Sequence, residues 1–506
     1  MHNKTRRPIG QAWLLRHFDL AVPNPAVQSC VVAGTRRTET DGRRVTEFYP
    51  TRYAVEDSVI AHLLFAFRHE AFDLGLLIAA LRAMDPGPLE AWVRAQPTGA
   101  FSRRAWFFYE TFTGRTLDLD DAKTGNYVSA LDHRRHVGAG RRNSRRHRVA
   151  DNLLGGAGLC PSVRLTPKLR RAMKSSPDEE ARALMEGCEA SILTRAVNYL
   201  FTKETRSSFA LEGETPRGDR AERFVAALKS ASEFDAANKA DILRLHAIIV
   251  DPRYAADDWR TVQNFVGETI GGYRERVHFI CPRPKDVPSL MRGWTALTER
   301  VLQGHVDPVI GAAASSFAFV FVHPFEDGNG RIHRFLMHHV LAKRGYGVPG
   351  TILPVSAAIL RDRHGYDDVL SGFSRPRMDL IRWEWSGGDG AAPGREIVVS
   401  SESDHLYRYF DATPFAEYFY DRVADAVRHD LREELGFLAV FDRALRGVSG
   451  IVDMPDWRAS LLVRLCLQNG GRLAARKRQQ FAELTDDEIR AMEAEIQEAM
   501  ASAGSG

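Results

Sequence analysis

The chain has 506 residues, 44% of them hydrophobic and 26% charged, with a formal net charge of +4. That length predicts two or three domains with sizeable cores and excludes a disordered chain, and so small a charge does not by itself imply nucleic acid. Five dispersed cysteines (Cys30, Cys160, Cys188, Cys281, Cys466) without a paired spacing point to a reducing cytoplasm, not to a disulfide framework or a zinc site.

The basic N-terminal stretch has no apolar run adequate for a signal peptide. Residues 1–175 form a first region of unassigned role. Leu63–Phe67 and Leu74–Leu81 read as short buried helices, and the aromatic-rich stretch 97–114 reads as core. Residues 133–148 carry seven arginines and three histidines. A contact patch for nucleic acid or an acidic partner is one reading, and a solvated, mobile loop is the favoured one.

From Ser176 the chain turns helical. Ser-Pro-Asp-Glu-Glu is a good helix start, and apolar residues follow at helical spacing. A second short helix is expected around 205–213, where Ser208 and Glu212 stand four apart and Gly213 can end it. Asp241–Val250 is amphipathic. In the stretch 268–291, Gly271-Gly272 would turn the chain, and Val277, Phe279 and Cys281 alternate with His278 and Ile280, which predicts a hairpin. The low-polarity run Val309–Val322 is short of the roughly 20 residues that span a bilayer and reads as a buried helix.

That run leads into HPFEDGNGRIHR, residues 323–334, where the chemistry concentrates. Gly328-Asn329-Gly330 stands where a loop turns into a helix, so unpartnered amides and the positive end of the helix dipole would bind an anion. Arg331 and Arg334 share one side of that first turn, and guanidinium groups suit phosphate. Asp327 is a hard oxygen ligand placed for Mg²⁺ (or Mn²⁺) on a polyphosphate. His323 can take a proton from an attacking hydroxyl.

The stretch resembles the signature of the Fic (filamentation induced by cyclic AMP) family, HxFx(D/E)GNGRxxR, at every fixed position. The resemblance implies a mainly α fold: a helical core with a short hairpin flap, an added N-terminal region and a small helical C-terminal domain. It implies a protein adenylyltransferase that moves AMP from ATP onto a Ser, Thr or Tyr hydroxyl. His323 would be the base. Asp327, Gly328, Asn329, Gly330, Arg331 and Arg334 would hold ATP and its metal, and Tyr366 would lie beside the nucleotide base. Ser374 stands where the family often has Asn. SFALEG (208–213) matches the family's inhibitory motif (S/T)xxxE(G/N), with Glu212 expected to pair with Arg334. Val277–Ile280 resemble the flap that holds a target by strand addition.

Further along, 355–373 is helical, 386–401 is a Gly-rich break, and 409–431 resembles the closing helix of the Fic core. The expected domains are 1–175, 176–435 and 436–506. The tail reads equally as a degenerate helix-turn-helix, with Arg472, Arg476, Lys477 and Arg478 facing phosphate, or as a small helical bundle. Ala501–Gly506 reads as a disordered end. Alternatives to AMP transfer are AMP removal with Glu212 positioning water, a Doc-like kinase (disfavoured by the intact Gly330), and a nucleotide-sensing DNA-binding regulator. Expected partners are ATP, a target on the flap and, less strongly, nucleic acid at the tail. No membrane contact is expected, and a homodimer stays open.

Overall fold

The computed structural model describes residues 6–503 except 43, 217–218, 271–274 and 387–395. The turn expected at Gly271-Gly272, the centre of the Gly-rich break and the last three residues lie outside that set. The fold is mainly α. Two compact units arise: Met1–Ser175 with Ser208–Tyr346 and Ile359–Asp421, and Ser176–Ser207 with Gly347–Ala358 and Arg422–Gly506. This partition differs from a simple succession of three domains. Residues 1–175 group with the segments that carry the signature, and the second unit gathers three separate pieces of chain.

In the first unit, the helix Pro308–Val322 is apolar on every side, so it is buried along almost its whole length. Asp307 caps its start by accepting from the amides of Val309 and Ile310, with Pro308 at the first position. Around it pack Val287–Gln303, Asn329–Lys343 and Arg363–Met378, through ring contacts such as Phe321 on Phe373 (3.6 Å, stacked) and Trp294 on Phe319. The expected helices of the N-terminal region are present as Val59–His69 and Leu74–Ala83, capped by Ser58 and Asp73. The aromatic stretch is the buried helix Ala100–Thr113.

Three features depart from expectation. A four-stranded sheet, in the order Arg7–Ile9, Val27–Val32, Arg44–Pro50, Arg37–Asp41, pairs its two middle strands in parallel. The basic stretch 133–148 is a solvated loop only in part, with His133, Arg134, Arg141, Arg142 and Arg145 exposed. Arg142–Ser144 pairs with Val149–Asp151, and His136 and His147 are buried. Its C-terminal part is held by Glu110, a mostly buried carboxylate that takes hydrogen bonds from Arg146 (2.8 Å) and His147 (2.9 Å). Asp362 breaks 355–373 into the helices Val355–Arg361 and Arg363–Met378 by accepting from the Gly365 amide.

In the segments from Ser176, Gly187 at φ 86° separates Pro177–Met185 from Ala190–Leu211. The second helix runs without interruption through the segment expected to be a short helix of its own, and ends before Gly213 at φ 72°. In the C-terminal unit, Arg432–Ile451, Asp456–Leu467 and Asp486–Ala503 enclose a core of Phe441, Val448, Val463, Phe481 and Met492. The basic segment there is a 3₁₀ turn, Ala475–Phe481, not an α-helix. Arg478 is spent on Asp486 and on the carbonyls of Phe481 and Leu484. No described helix is long and apolar enough to cross a membrane.

Candidate active site

Helix Pro308–Val322 ends at His323, which adopts φ 50°, ψ 60°. A left-handed conformation in a non-Gly residue is strained and persists only when its surroundings fix it. Here the His323 amide donates to Phe319 O (3.0 Å), and Arg260 Nε donates to His323 O (2.7 Å). His323 Nδ1 lies 3.1 Å from Val320 O. A carbonyl only accepts, so Nδ1 carries the proton and Nε2 is the basic nitrogen. Burial pulls the imidazole down to about 4, opposed by the Val320 hydrogen bond and reinforced by the Arg260 charge. His323 is therefore neutral, and a proton acceptor, at neutral pH.

The loop after it is closed by Asn329. Its Oδ1 accepts from the Phe325 amide (3.1 Å) and its Nδ2 donates to Phe325 O (2.8 Å). His246 Nε2 sits 3.2 Å from Asp327 O, and its ring stacks on Phe325 at 4.1 Å. Gly328, at φ 82°, turns the chain into helix Asn329–Lys343. The first-turn amides of Asn329, Gly330 and Arg331 have no carbonyl one turn back to donate to. Such amides are able to cradle an anion.

Both arginines are buried to 1% exposure and both meet carboxylates. Arg334 donates to Ser208 Oγ (2.9 Å), Ser208 O (2.6 Å) and Glu212 Oε1 (2.8 Å). Arg331 donates to Glu214 Oε2 (2.9 Å) and Asp327 Oδ2 (3.1 Å). Burial would raise the Glu212 carboxyl, but the charge and hydrogen bond of Arg334, with Arg331 beyond it, outweigh this and hold it below the usual carboxylate range. Gly330 leaves room for that carboxylate, because a Cβ there would overlap it.

A cavity of about 500 Å³ joins these parts. His323, Gly330, Arg334 and Glu212 line it together with His278 and Phe279 of the hairpin and Tyr366 and Ser374 of helix Arg363–Met378. Tyr366 is 8% exposed, and burial raises its phenol to about 12. Asp327 borders a second cavity instead, with its side chain 74% exposed. One exposed carboxylate beside an anion cradle suits Mg²⁺, which keeps waters and takes phosphate oxygens as its other ligands. Among the described residues no cluster of three metal-ligating side chains occurs.

Residues 236–341 match the Fic/DOC family. This segment, which holds the signature at 323–334, is similar to a Fic domain. It is 32% identical over 140 residues to the protein adenylyltransferase fic-1 of Caenorhabditis elegans, covering 27% of this chain and 25% of that one. It is 31% identical over 177 residues to the protein adenylyltransferase Fic of Drosophila mojavensis, covering 32% of each. The matched part thus spans about a quarter to a third of these curated relatives. A solved Fic family protein from Desulfovibrio desulfuricans aligns at 21% identity and a TM-score of 0.37, covering 63% of this chain and 85% of that one.

The cavity brings together His323, Gly330, Arg334, Glu212 and Tyr366, with Ser208 hydrogen-bonded to Arg334, all singled out from sequence. Asn329 differs in detail: its side chain shapes the cradle, since both its polar groups bind Phe325. Arg331 lies beneath the loop with Glu214, not open to the cavity. In the hairpin, Phe265–Thr269 pairs with Glu275–Ile280 around a bulge at Val266/Gly267. Alternation holds through Phe279, and then Ile280 and Cys281 are both buried. Sequence reasoning missed Arg260, His246 and Glu214. Glu214 is two residues from Glu212, but Arg260 in DDWRTV stands in no periodic pattern that would mark it.

Proposed function

We propose that this protein is an adenylyltransferase that transfers AMP from ATP to a hydroxyl of a target protein and is held in check by Glu212. The observation that carries this is one cavity lined by a neutral His323, the start of the signature helix and an Arg334 already paired with a carboxylate. In this reading the target segment lies along an unpaired edge of the hairpin, which fixes its Ser, Thr or Tyr hydroxyl near His323. His323 Nε2 takes the hydroxyl proton as the oxygen attacks the α-phosphorus. The bond from that phosphorus to the bridging oxygen breaks, and pyrophosphate leaves. The free amides of Asn329, Gly330 and Arg331 stabilise charge building on the phosphates. Mg²⁺ bound by Asp327 would supply further positive charge to those oxygens. Arg334 meets the γ-phosphate once Glu212 has left it.

Positioning and charge stabilisation dominate such a transfer, so the cradle matters as much as the base. The Glu212 carboxylate, ionised and lining the same cavity as His323, also favours a second reading, in which it orients water to remove AMP from a modified protein. The test uses the Glu212→Gly protein with cell lysate and either α-³²P-ATP or γ-³²P-ATP. Protein label from the α position alone, lost with His323→Ala, is expected. Label from the γ position would replace this reading with a kinase.

A further inference from the structure

Arg260 is 5% exposed and binds three separate stretches of chain. Its Nε donates to His323 O (2.7 Å), its Nη1 to Val262 O (2.8 Å) and its Nη2 to Pro282 O (2.6 Å). Its backbone amide donates to Pro324 O (2.8 Å). Val262 lies just before the first hairpin strand and Pro282 just after the second. One side chain therefore ties both stems of the hairpin to the turn that carries His323.

Two physical points give this contact weight. Among the described residues no carboxylate forms a salt bridge with Arg260, and its side-chain hydrogen bonds go to carbonyl oxygens, with the charge of Glu326 acting on it from farther away. Burying a cation that way costs free energy, and burial does lower its proton affinity. A neutral donor would serve mere stability more cheaply. The second point is the left-handed backbone of His323. The Nε hydrogen bond acts on the carbonyl of the strained residue itself, and the amide bond to Pro324 O acts on the next.

We propose that Arg260 is a positioning residue for His323, through which the seat of the hairpin fixes where the base sits. The inference rests on His323 being the general base of the proposed transfer. Arg260 has two effects. It holds Nε2 in line with a hydroxyl presented on the hairpin, and its charge disfavours protonation of the imidazole. Glu212 and Asp327 act on His323 in the opposite direction, and Arg334, His278 and Glu268 line the same cavity. The Val320 carbonyl on its own helix also favours the protonated ring. The Arg260 charge thus opposes those two carboxylates.

The test compares the full-length Glu212→Gly protein with the same protein carrying Arg260→Lys or Arg260→Gln. Single-turnover label transfer from α-³²P-ATP, the ATP dissociation constant by calorimetry, and the His323 titration by NMR of ¹³C-labelled histidine are measured. Misplacing a reacting group by about 1 Å can cost about 100-fold, so transfer should fall about 10–100-fold in both variants while ATP affinity stays within about threefold. The His323 midpoint should rise in Arg260→Gln and stay low in Arg260→Lys, because lysine keeps the charge and loses the three-way reach. A transfer rate within about threefold of the parent in Arg260→Lys would overturn the proposal, as would an unmoved midpoint in Arg260→Gln. If Arg260→Gln does not fold, the Lys variant alone decides through its transfer rate. If the parent transfers no label, the adenylyltransferase reading fails, and the NMR midpoints still decide whether Arg260 governs His323.

Discussion

Replacing Glu212 by Gly should accelerate self-modification about thirtyfold at saturating ATP and Mg²⁺. Arg334 is 1% exposed, whereas the Glu212 side chain is 37% exposed. Breaking a fully buried ion pair shifts a balance by about 3–5 kcal/mol and an exposed one by about 0–1, so a pair buried on one side falls near 2 kcal/mol. Each 1.4 kcal/mol is about tenfold in population, which gives the thirtyfold figure. Arg334 is not orphaned by the change, because Ser208 Oγ and Ser208 O still accept from it. The space above Gly330 is vacated at the same time. Arg334→Ala should not reproduce the gain, since it also removes the proposed partner of the γ-phosphate. The assay is the initial rate of α-³²P incorporation into the protein itself. Equal rates for wild type and Glu212→Gly would refute the assignment of Glu212 as the inhibitory group.

The other predictions follow from the same geometry. With His323 pulled down to about 4, kcat/KM of the Glu212→Gly protein should stay level from neutral pH to well below the usual histidine range. It should fall only as pH approaches that value, and a limb near 6.5 would contradict a base held neutral. Glu212 has a lowered pKa, so its pairing with Arg334 is present above the usual carboxylate value and is lost only as pH falls through the lowered one. Wild type should therefore show no activation between neutral pH and the ordinary carboxylate range, and a rise within that window would argue against the pair. Gly330→Ala should push Glu212 away yet fail to activate, because the added methyl also fills the cradle; calorimetry should show weakened ATP binding, and activation would sink this reading of Gly330. Glu214→Gln leaves the buried Arg331 with Asp327 as its remaining carboxylate and should destabilise the protein by about 1–3 kcal/mol, seen as a lower thermal midpoint.

The site was legible in proportion to how local its chemistry is. Residues 323–334 put a base, an acid, two glycines and two arginines within one loop and one helix turn, so spacing alone placed them together. The Glu212–Arg334 pair spans 122 positions, and only the family resemblance linked its two ends. Arg260 reads carbonyl oxygens, and carbonyls carry no sequence signal, so its role emerges only when three segments meet. The basic stretch 133–148 misled for a related reason. Several of its arginines are indeed exposed, but Arg146 and His147 look solvated too until Glu110, on a distant helix, supplies a mostly buried carboxylate. The N-terminal sheet escaped because its strands are three to seven residues long and the edge strand Arg37–Asp41 is exposed on both faces, leaving no alternation to detect. Helix Pro308–Val322 was plain from its uniform apolarity, which is what a fully buried helix requires.

The measurement closest to the central claim is the intact mass of the Glu212→Gly protein after incubation with ATP and Mg²⁺, beside the His323→Ala, Glu212→Gly double variant. The account predicts a gain of one adenylyl group on a hydroxyl side chain in the first protein and none in the second. A gain of one phosphoryl group, or an adenylyl gain that survives loss of His323, would contradict it.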